Sequence, residues 1–272
     1  MKFPLLRSLT AALCTALLAV PMYLPARSAH RSPQFLLNDA PFSGDAYIED
    51  GISYLSLADF VRSTTQYDVS WDGTAAHIAD DDLTLRAQPG QPWVEANGRC
   101  FYAPGGVRLT QGRTMLPART LTQIFSLDLD WNGQTSTVLL TGTPDAPEHG
   151  DTFYDPDTLY WLSRIISAES RGEPLEGQIA VGNVVLNRMA SHRFPDALYD
   201  VIFQAGQFEP VENGTVFDEP YHLSVTAAKL CLEGASVVGD CLFFFAPALS
   251  PGTWIVENCT YYTTIGCHRF YY

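Results

Sequence analysis

Glu169, in the stretch IISAESRGEP at 165–174, sits where a carboxylate either does chemistry or costs stability. Leu159, Leu162, Ile165 and Ile166 recur at helical spacing and mark one apolar face of a helix predicted over 157–171. Glu169 follows Ile166 by three residues, Ile165 by four and Leu162 by seven, so it continues that stripe. A charge there is costly unless it is paired or the group keeps its proton. Gly172 offers a helix stop, which places Glu169 at the negative end of the helix dipole. Burial and dipole both disfavour the carboxylate and raise its pKa. A carboxylic acid still protonated near neutral pH can hand that proton to the leaving oxygen of a glycosidic bond. The competing reading is a structural glutamate paired with Arg164, Arg171 or Arg188.

The elements that must hold this group lie in the C-terminal half. Pro174 suits the start of a second helix, and GQIAVGNVVLNRMAS is apolar on most sides, so that helix is expected to be buried. Asn183 and Asn187 stand one turn apart on it, followed by Arg188; the two amides either bond substrate acetamido groups or fix the helix packing. Glu173 and Glu176 are the candidates for a second carboxylate. Glu176 falls in a first helical turn, where negative charge is favoured for stability alone, and Glu173 lies in the turn before it. Gln207 and Phe208 sit in the turn-rich GQFEP, Trp254 in TWIV, and His268 in IGCHRF. Phe208 and Trp254 have ring faces suited to sugars, though core roles are open to both. His268 either orients a carboxylate or is a satisfied structural histidine. HLSVTAAKLCLEGA reads as a later helix; DCLFFFAP, TWIV, YYTTIG and HRFYY read as short strands or extended segments.

The chain has 272 residues, a globular composition and a formal net charge of −14. That charge argues against a nucleic-acid partner and against simple docking on anionic lipid. Lys2 and Arg7, the 12-residue apolar run LTAALCTALLAV and the small residues of PARSA form an export-signal pattern over 1–28, with cleavage after Ser28. The run is too short for a comfortable membrane span; the alternative is an uncleaved anchor on the outer membrane face. Six cysteines are present, Cys14 within the signal and Cys100 apart. An exported chain can keep disulfides, and neighbour pairing, Cys231–Cys241 and Cys259–Cys267, is the expectation among three options. No CxxC spacing supports zinc, and no metal or cofactor is called for.

GTPDAPEHGD, at 142–151, is rich in Pro, Gly and acids and marks a linker over 144–154. Before it lies an internal repeat. GISYLSLADFVRSTTQYDVSWDG from Gly51 matches GRTMLPARTLTQIFSLDLDWNG from Gly112, pairing Leu55 with Leu116, Phe60 with Leu121 and Trp71 with Trp131. The offset falls from 61 to 60 within the unit, a one-residue deletion. Each unit reads as a strand, a short helix and a strand ending in a tight turn, WNG and EANGR being hairpin signals. Trp71, Trp93 and Trp131 can stack on sugars, but the equivalent repeat positions of Trp71 and Trp131 point to core packing. The fold class is thus α+β in two domains: an N-terminal repeat-built α+β domain with antiparallel strands over 35–143, and a mainly helical domain with a small β element over 155–272.

Two resemblances extend this reading. The repeated unit, over about 35–143, resembles the copper amine oxidase N-terminal-like domain, a stalk-like module on exported bacterial proteins; no copper is implied, because His77 is its one internal histidine. AESRGEPLEGQIAVGNVVLNR, RFP, FQAGQFEPVENG, TWI and TIGCHRFY, in that order, resemble the catalytic domain of the spore cortex-lytic cell-wall hydrolase family. That resemblance implies a lysozyme-like, lytic transglycosylase-like fold, cleavage of peptidoglycan glycan strands, and Glu169 as the catalytic acid. It implies peptidoglycan as partner, a secreted, wall or spore-envelope location, and cleft roles for Glu173, Asn183, Asn187, Arg188, Gln207, Phe208, Trp254 and His268. Ala246 stands where relatives usually show Asn, and Cys267 where they carry a small or polar residue. Two other readings stand beside it: an N-acetylmuramoyl-L-alanine amidase, which would want zinc ligands that His192, His222 and His268 are not spaced to supply, and a non-catalytic wall-binding protein.

Overall fold

The structure is a computed structural model that describes residues 33–272, which form one compact unit. The expected signal and Cys14 lie outside the described residues. Among the described residues no helix is long and apolar enough to cross a membrane.

The N-terminal region is built from β1 (Gln34–Leu37), β2 (Ala40–Pro41), β3 (Ala46–Glu49), β4 (Ile52–Ser56), α1 (Leu57–Thr64), β5 (Ser70–Trp71), β6 (Ala76–Ala79), β7 (Thr84–Ala87), β8 (Trp93–Ala96), β9 (Arg99–Tyr102), β10 (Arg108–Thr110), β11 (Arg113–Pro117), α2 (Ala118–Ile124), β12 (Asp128–Asn132) and β13 (Thr137–Thr141). The strands form three sheets, in orders β12-β13-β1-β2, β10-β11-β4-β3 and β5-β6-β7-β8-β9. The repeat is visible in three dimensions. Strand, helix, strand, strand runs from β4 to β6 and again from β11 to β13. The two units meet through their first strands, where Leu55 and Leu116, matched in the repeat, are direct antiparallel partners. Phe60 and Leu121, also matched, are both fully buried in one core. The EANGR turn signal holds, since Asn97 and Gly98 both take positive φ between β8 and β9; at WNG neither Asn132 nor Gly133 does, and β12 joins β13 through residues 133–136, with Ser136 at φ 54°.

Trp71 and Trp131 depart from expectation. They are 47% and 52% exposed rather than core residues. Each lies on an edge strand, β5 or β12, whose outer face meets solvent. Trp93 is half-buried and packs on the helical core instead.

The second region contains α3 (Gly150–Phe153), α4 (Pro156–Ser170), α5 (Leu175–Ala190), α6 (Leu198–Ile202), α7 (Glu209–Asn213), α8 (His222–Leu232), β14 (Phe243–Phe245), α9 (Thr253–Asn258), β15 (Tyr261–Ile265) and β16 (His268–Tyr271). Asp155 caps α4 by accepting from the Thr158 amide at 2.8 Å, with Pro156 in the first turn. The helix ends at Ser170 without the expected left-handed glycine: Gly172 is not among the residues of positive φ, and Glu173 N–H bonds Ser170 C=O before Pro174. Ile179, Ala180, Val181, Val184 and Val185 of α5 are fully buried, as its all-round apolarity requires. Gly182 lets α5 approach closely; a Cβ there would lie 2.7 Å from Cys231 Sγ of α8 and 2.8 Å from Ile166 Cδ1 of α4. β14, β16 and β15 make a three-stranded antiparallel sheet. TWIV, expected to be extended, is helical in α9, entered through Gly252 at φ 57°. It has no strand beside it to supply ladder bonds.

The five described cysteines are all unpaired, contrary to the expected bridges. Cys231 faces α5 and donates to Ile179 C=O, inside the main helical core. Cys241 belongs to a separate cluster with Ala180, Val184 and Phe270. Cys259 packs beside Phe243, Phe245 and Tyr271, while Cys267 is exposed in the β15–β16 turn.

Residues 144–154 run from one region to the other along packed surface. Ala146 packs on the first core, Asn97 Nδ2 donates to Pro147 C=O, and the Tyr154 hydroxyl donates to Glu233 at 2.7 Å. Arg99 of β9 grips the same carboxylate with two bonds of 2.7 and 2.6 Å, both side chains being largely buried. Lys229 Nζ donates to Gly98 C=O at 2.7 Å. Glu233 is therefore the polar centre of the seam. Removing one member of a buried ion pair strands the other charge. Glu233→Ala is expected to lower unfolding stability by about 3–5 kcal/mol in urea melts, with Glu233→Gln costing less; an unchanged melt would show that the seam adds nothing.

Candidate functional site

Glu169 occupies the last turn of α4 and is partly open to solvent. Its pKa is raised to about 7, chiefly by burial, then by the nearby Glu209 carboxylate; Arg188 pulls it the other way. No hydrogen bond or ion pair enters this balance. The structural pairing with Arg164 or Arg171 does not occur. Arg164 bonds Glu219 at 3.0 Å, and Arg171 lies over the Tyr221 ring.

Arg188 is the positive group beside it. Only 5% exposed, it donates Nε–H to Leu242 C=O at 2.8 Å and lies 5.0 to 5.7 Å from the rings of Phe194, Phe208 and Phe243. Its Nη1 is buried and has no hydrogen-bond partner among the described residues. Burial draws its pKa down to about 10, and Glu169 opposes that shift. Phe208 is thus a buried packing partner of Arg188 and Phe244, with no ring face free for a sugar. Trp254 is exposed and sets its ring edgewise on Phe243 at 5.6 Å, so it continues the aromatic wall that begins at Arg188. Gln207 is exposed in the loop before α7. In that loop Gln204 Oε1 is buried without a donor.

Glu173 and His268 form a second group. Glu173 accepts the Cys267 N–H at 2.8 Å, and its other oxygen lies 4.0 Å from His268 Nδ1. Gly266, at φ 57°, touches this carboxylate, so any Cβ there would strike it. Glu173 therefore ties the β15–β16 turn to the α4–α5 turn. His268 is buried against Phe244 and Phe270, and its Nδ1 lacks a hydrogen bond. Burial lowers its pKa, while Glu173 acts in the opposite direction. Glu176 accepts from the Tyr102 hydroxyl of β9 at 3.3 Å, at the seam between the regions.

The two asparagines fix packing. Asn183 donates to Ala235 C=O at 2.7 Å and accepts Val237 N–H at 2.9 Å. Asn187 donates to the carbonyls of Gly239 and Cys241 at 2.7 and 3.0 Å. Together they lace α5 to the chain that follows α8. Glu209, Gln204 and Phe243 were not singled out in the sequence. Glu209 was in view inside GQFEP, but its effect on Glu169 depends on how α7 is placed against α4. Among the described residues no group of three His, Cys, Asp or Glu converges to hold a metal.

Two outcomes follow. Asn183→Ala breaks both bonds to the 235–237 turn and is expected to cost about 1–3 kcal/mol in denaturant melts. Glu169 titrates near 4.5 unfolded and near 7 folded, so its acid form is held more tightly in the folded state. Its stabilising contribution is full below about pH 4.5 and is lost as pH rises to 7. Glu169→Gln is therefore expected to gain on the order of 2 kcal/mol relative to wild type between pH 4 and pH 8; parallel stability curves would contradict the shift.

Comparison with known proteins adds independent findings. Residues 172–271 match the family described as Cell Wall Hydrolase, and residues 37–140 match the Copper amine oxidase N-terminal domain. Glu169 lies just before the first of these matches. Proteins named spore cortex-lytic enzyme are similar: one from Oceanobacillus iheyensis is 34% identical over 102 residues, 38% of this chain and 37% of that protein. One from Bacillus subtilis is 33% identical over 94 residues, 35% of this chain and 31% of that protein. The chain thus spans about a third of the length of these relatives. Among solved structures, the catalytic domain of the germination-specific lytic transglycosylase SleB from Bacillus anthracis is 31% identical, with TM-score 0.42, covering 44% of this chain and 98% of that one. With these matches, the chain carries a Cell Wall Hydrolase domain over residues 172–271, preceded by a copper amine oxidase N-terminal domain over residues 37–140.

Proposed function

We propose that the protein is an exported enzyme that cleaves peptidoglycan glycan strands between N-acetylmuramic acid and N-acetylglucosamine as a lytic transglycosylase, with Glu169 as its one catalytic carboxyl group. The observation that carries this reading is Glu169 itself: a partly exposed carboxyl group whose pKa is raised to about 7 by burial and on which no hydrogen bond acts among the described residues. The names of the similar proteins, spore cortex-lytic enzyme and lytic transglycosylase, support it. On this reading the helical region is lysozyme-like, residues 1–28 are an export signal, and the site of action is the wall or spore envelope.

The chemistry needs one carboxyl group used twice. Protonated Glu169 gives its proton to the glycosidic oxygen as the bond from muramic C1 to that oxygen breaks. The resulting carboxylate faces the cationic sugar, and Arg188 moderates its charge. Glu169 then takes the proton of the 6-hydroxyl as that oxygen bonds C1, which closes the 1,6-anhydro ring and restores the acid. The nucleophile belongs to the substrate, so proximity replaces a second catalytic carboxylate. Arg188 Nη1 is buried and has no hydrogen-bond partner among the described residues, and the charge of its guanidinium acts on Glu169. Trp254 offers an exposed ring at the end of the aromatic wall.

Mass spectrometry of soluble products from purified peptidoglycan tests the proposal. Anhydromuramic ends are expected from wild type, with a loss of about 10²–10⁴-fold for Glu169→Gln. Reducing muramic ends would mean hydrolysis, free stem peptides an amidase, and no products a binding protein. The acid form of Glu169 must fall away above pH 7, so the rate is expected to decline there. Glu209→Gln removes a charge that raises this pKa, so the decline should begin at lower pH. An unmoved profile would remove Glu169 as the titrating acid.

A further inference from the structure

The N-terminal region carries a cavity of about 360 Å³ where two of its sheets meet at the start of α2. Its walls are apolar: Ile48, Ile52, Leu129 and Val138. Arg119 and the Asp130–Trp131 pair also line it. The volume lies in the range of sites for small ligands. Trp131 is 52% exposed. A large flat ring left in water beside an apolar hollow is an unsatisfied surface.

The internal repeat provides a comparison within the molecule. Trp71 holds the matching position and is also exposed, yet it does not line the cavity. At the 61-residue offset Arg119 matches Ala58, and at the 60-residue offset Asp130 matches Ser70. Both copies keep the tryptophan, but they differ in its setting: Trp131 lines the cavity with Arg119 and Asp130, whereas Trp71 is followed by Asp72, which is paired with His77. Fold alone does not require the setting of Trp131, since the first copy forms the same strand-helix-strand unit without it.

The chemistry of the lining narrows the ligand. Arg119 is exposed and enters no ion pair among the described residues, in a chain of net charge −14. A guanidinium so placed suits a carboxylate. Asp130 Oδ1 accepts the Trp131 N–H at 2.8 Å, which leaves the second oxygen for a hydroxyl or acetamido donor. The indole face suits the apolar face of a pyranose. A ring-stacking surface, an acceptor for hydroxyls and a cation for a carboxylate together match a glycan that carries lactyl or peptide carboxylates.

We propose that this cavity is a second, non-catalytic glycan site that holds peptidoglycan strands through Trp131 and Arg119; the choice of ligand rests on the wall substrate proposed above. The test uses the full chain with Glu169→Gln, so that nothing is turned over. Retention on insoluble peptidoglycan and titration with its soluble glycan fragments are measured for that protein and for the same protein with Trp131→Ala, Arg119→Gln or Trp71→Ala. Trp131→Ala is expected to weaken binding about tenfold with its melting temperature unchanged. Arg119→Gln should weaken muramic-acid fragments but not chitin oligomers, which lack the carboxylate. Trp71→Ala should bind like the parent. Equal binding by the Trp131 and Trp71 variants would overturn the site, and preference for chitin oligomers would overturn its anionic ligand. Product analysis with both tryptophans intact tests the catalytic reading separately, so either proposal can fail alone.

Discussion

The desolvation of one carboxyl group, Glu169, sets the electrostatics of the candidate site in the helical region. Its pKa is raised to about 7 because α4 packs into a core with α5 and α8, which desolvates the carboxyl group. Two nearby charges adjust that equilibrium. Glu209 pushes it further up, and Arg188 holds it back from a still higher value. Arg188 does this while partly desolvated, with three aromatic rings around its guanidinium and one carbonyl on Nε. An acid with no charge nearby would be hard to ionise, and one in a tight ion pair hard to protonate. The arrangement lies between these limits.

That balance needs rigid surroundings, and polar anchoring provides them. Asn183 and Asn187 hold the chain after α8 against α5, Gln178 joins the Glu173 carbonyl to Ser224 of α8, and Glu173 holds the β15–β16 turn. Each bond satisfies a group that would be costly to bury alone. The Glu233 seam extends the same logic to the N-terminal region. Cys100 and the partly buried Trp93 and Tyr102 from that region complete the helical core, so the strands serve as packing as well as appendage.

Much of the fold is readable from pattern because the pattern is periodic. The stripe from Leu159 to Ile166 marks α4, the all-round apolarity of α5 marks a buried helix, and the 60-residue echo marks the duplicated unit. Pattern misleads where the outcome depends on neighbours. Trp71 and Trp131 look like core residues by repeat position, but edge strands turn them to water. Cys231 and Cys241 are close in sequence, yet they enter different clusters on α5. TWIV has the composition of a strand and no strand to pair with.

The sequence by itself determined the helix that carries Glu169, the apolar face it continues, the repeat and the break between two textures of chain. These are local, period-based properties, set by residues a few positions apart. Only the tertiary structure decided which groups act on Glu169. Arg188 comes from 19 positions later in the chain and Glu209 from 40. Their influence depends on distance through a low-dielectric interior, which no spacing in the sequence encodes. The same holds for the Glu233 seam and for the hollow beside Trp131, which exist only where separate elements meet.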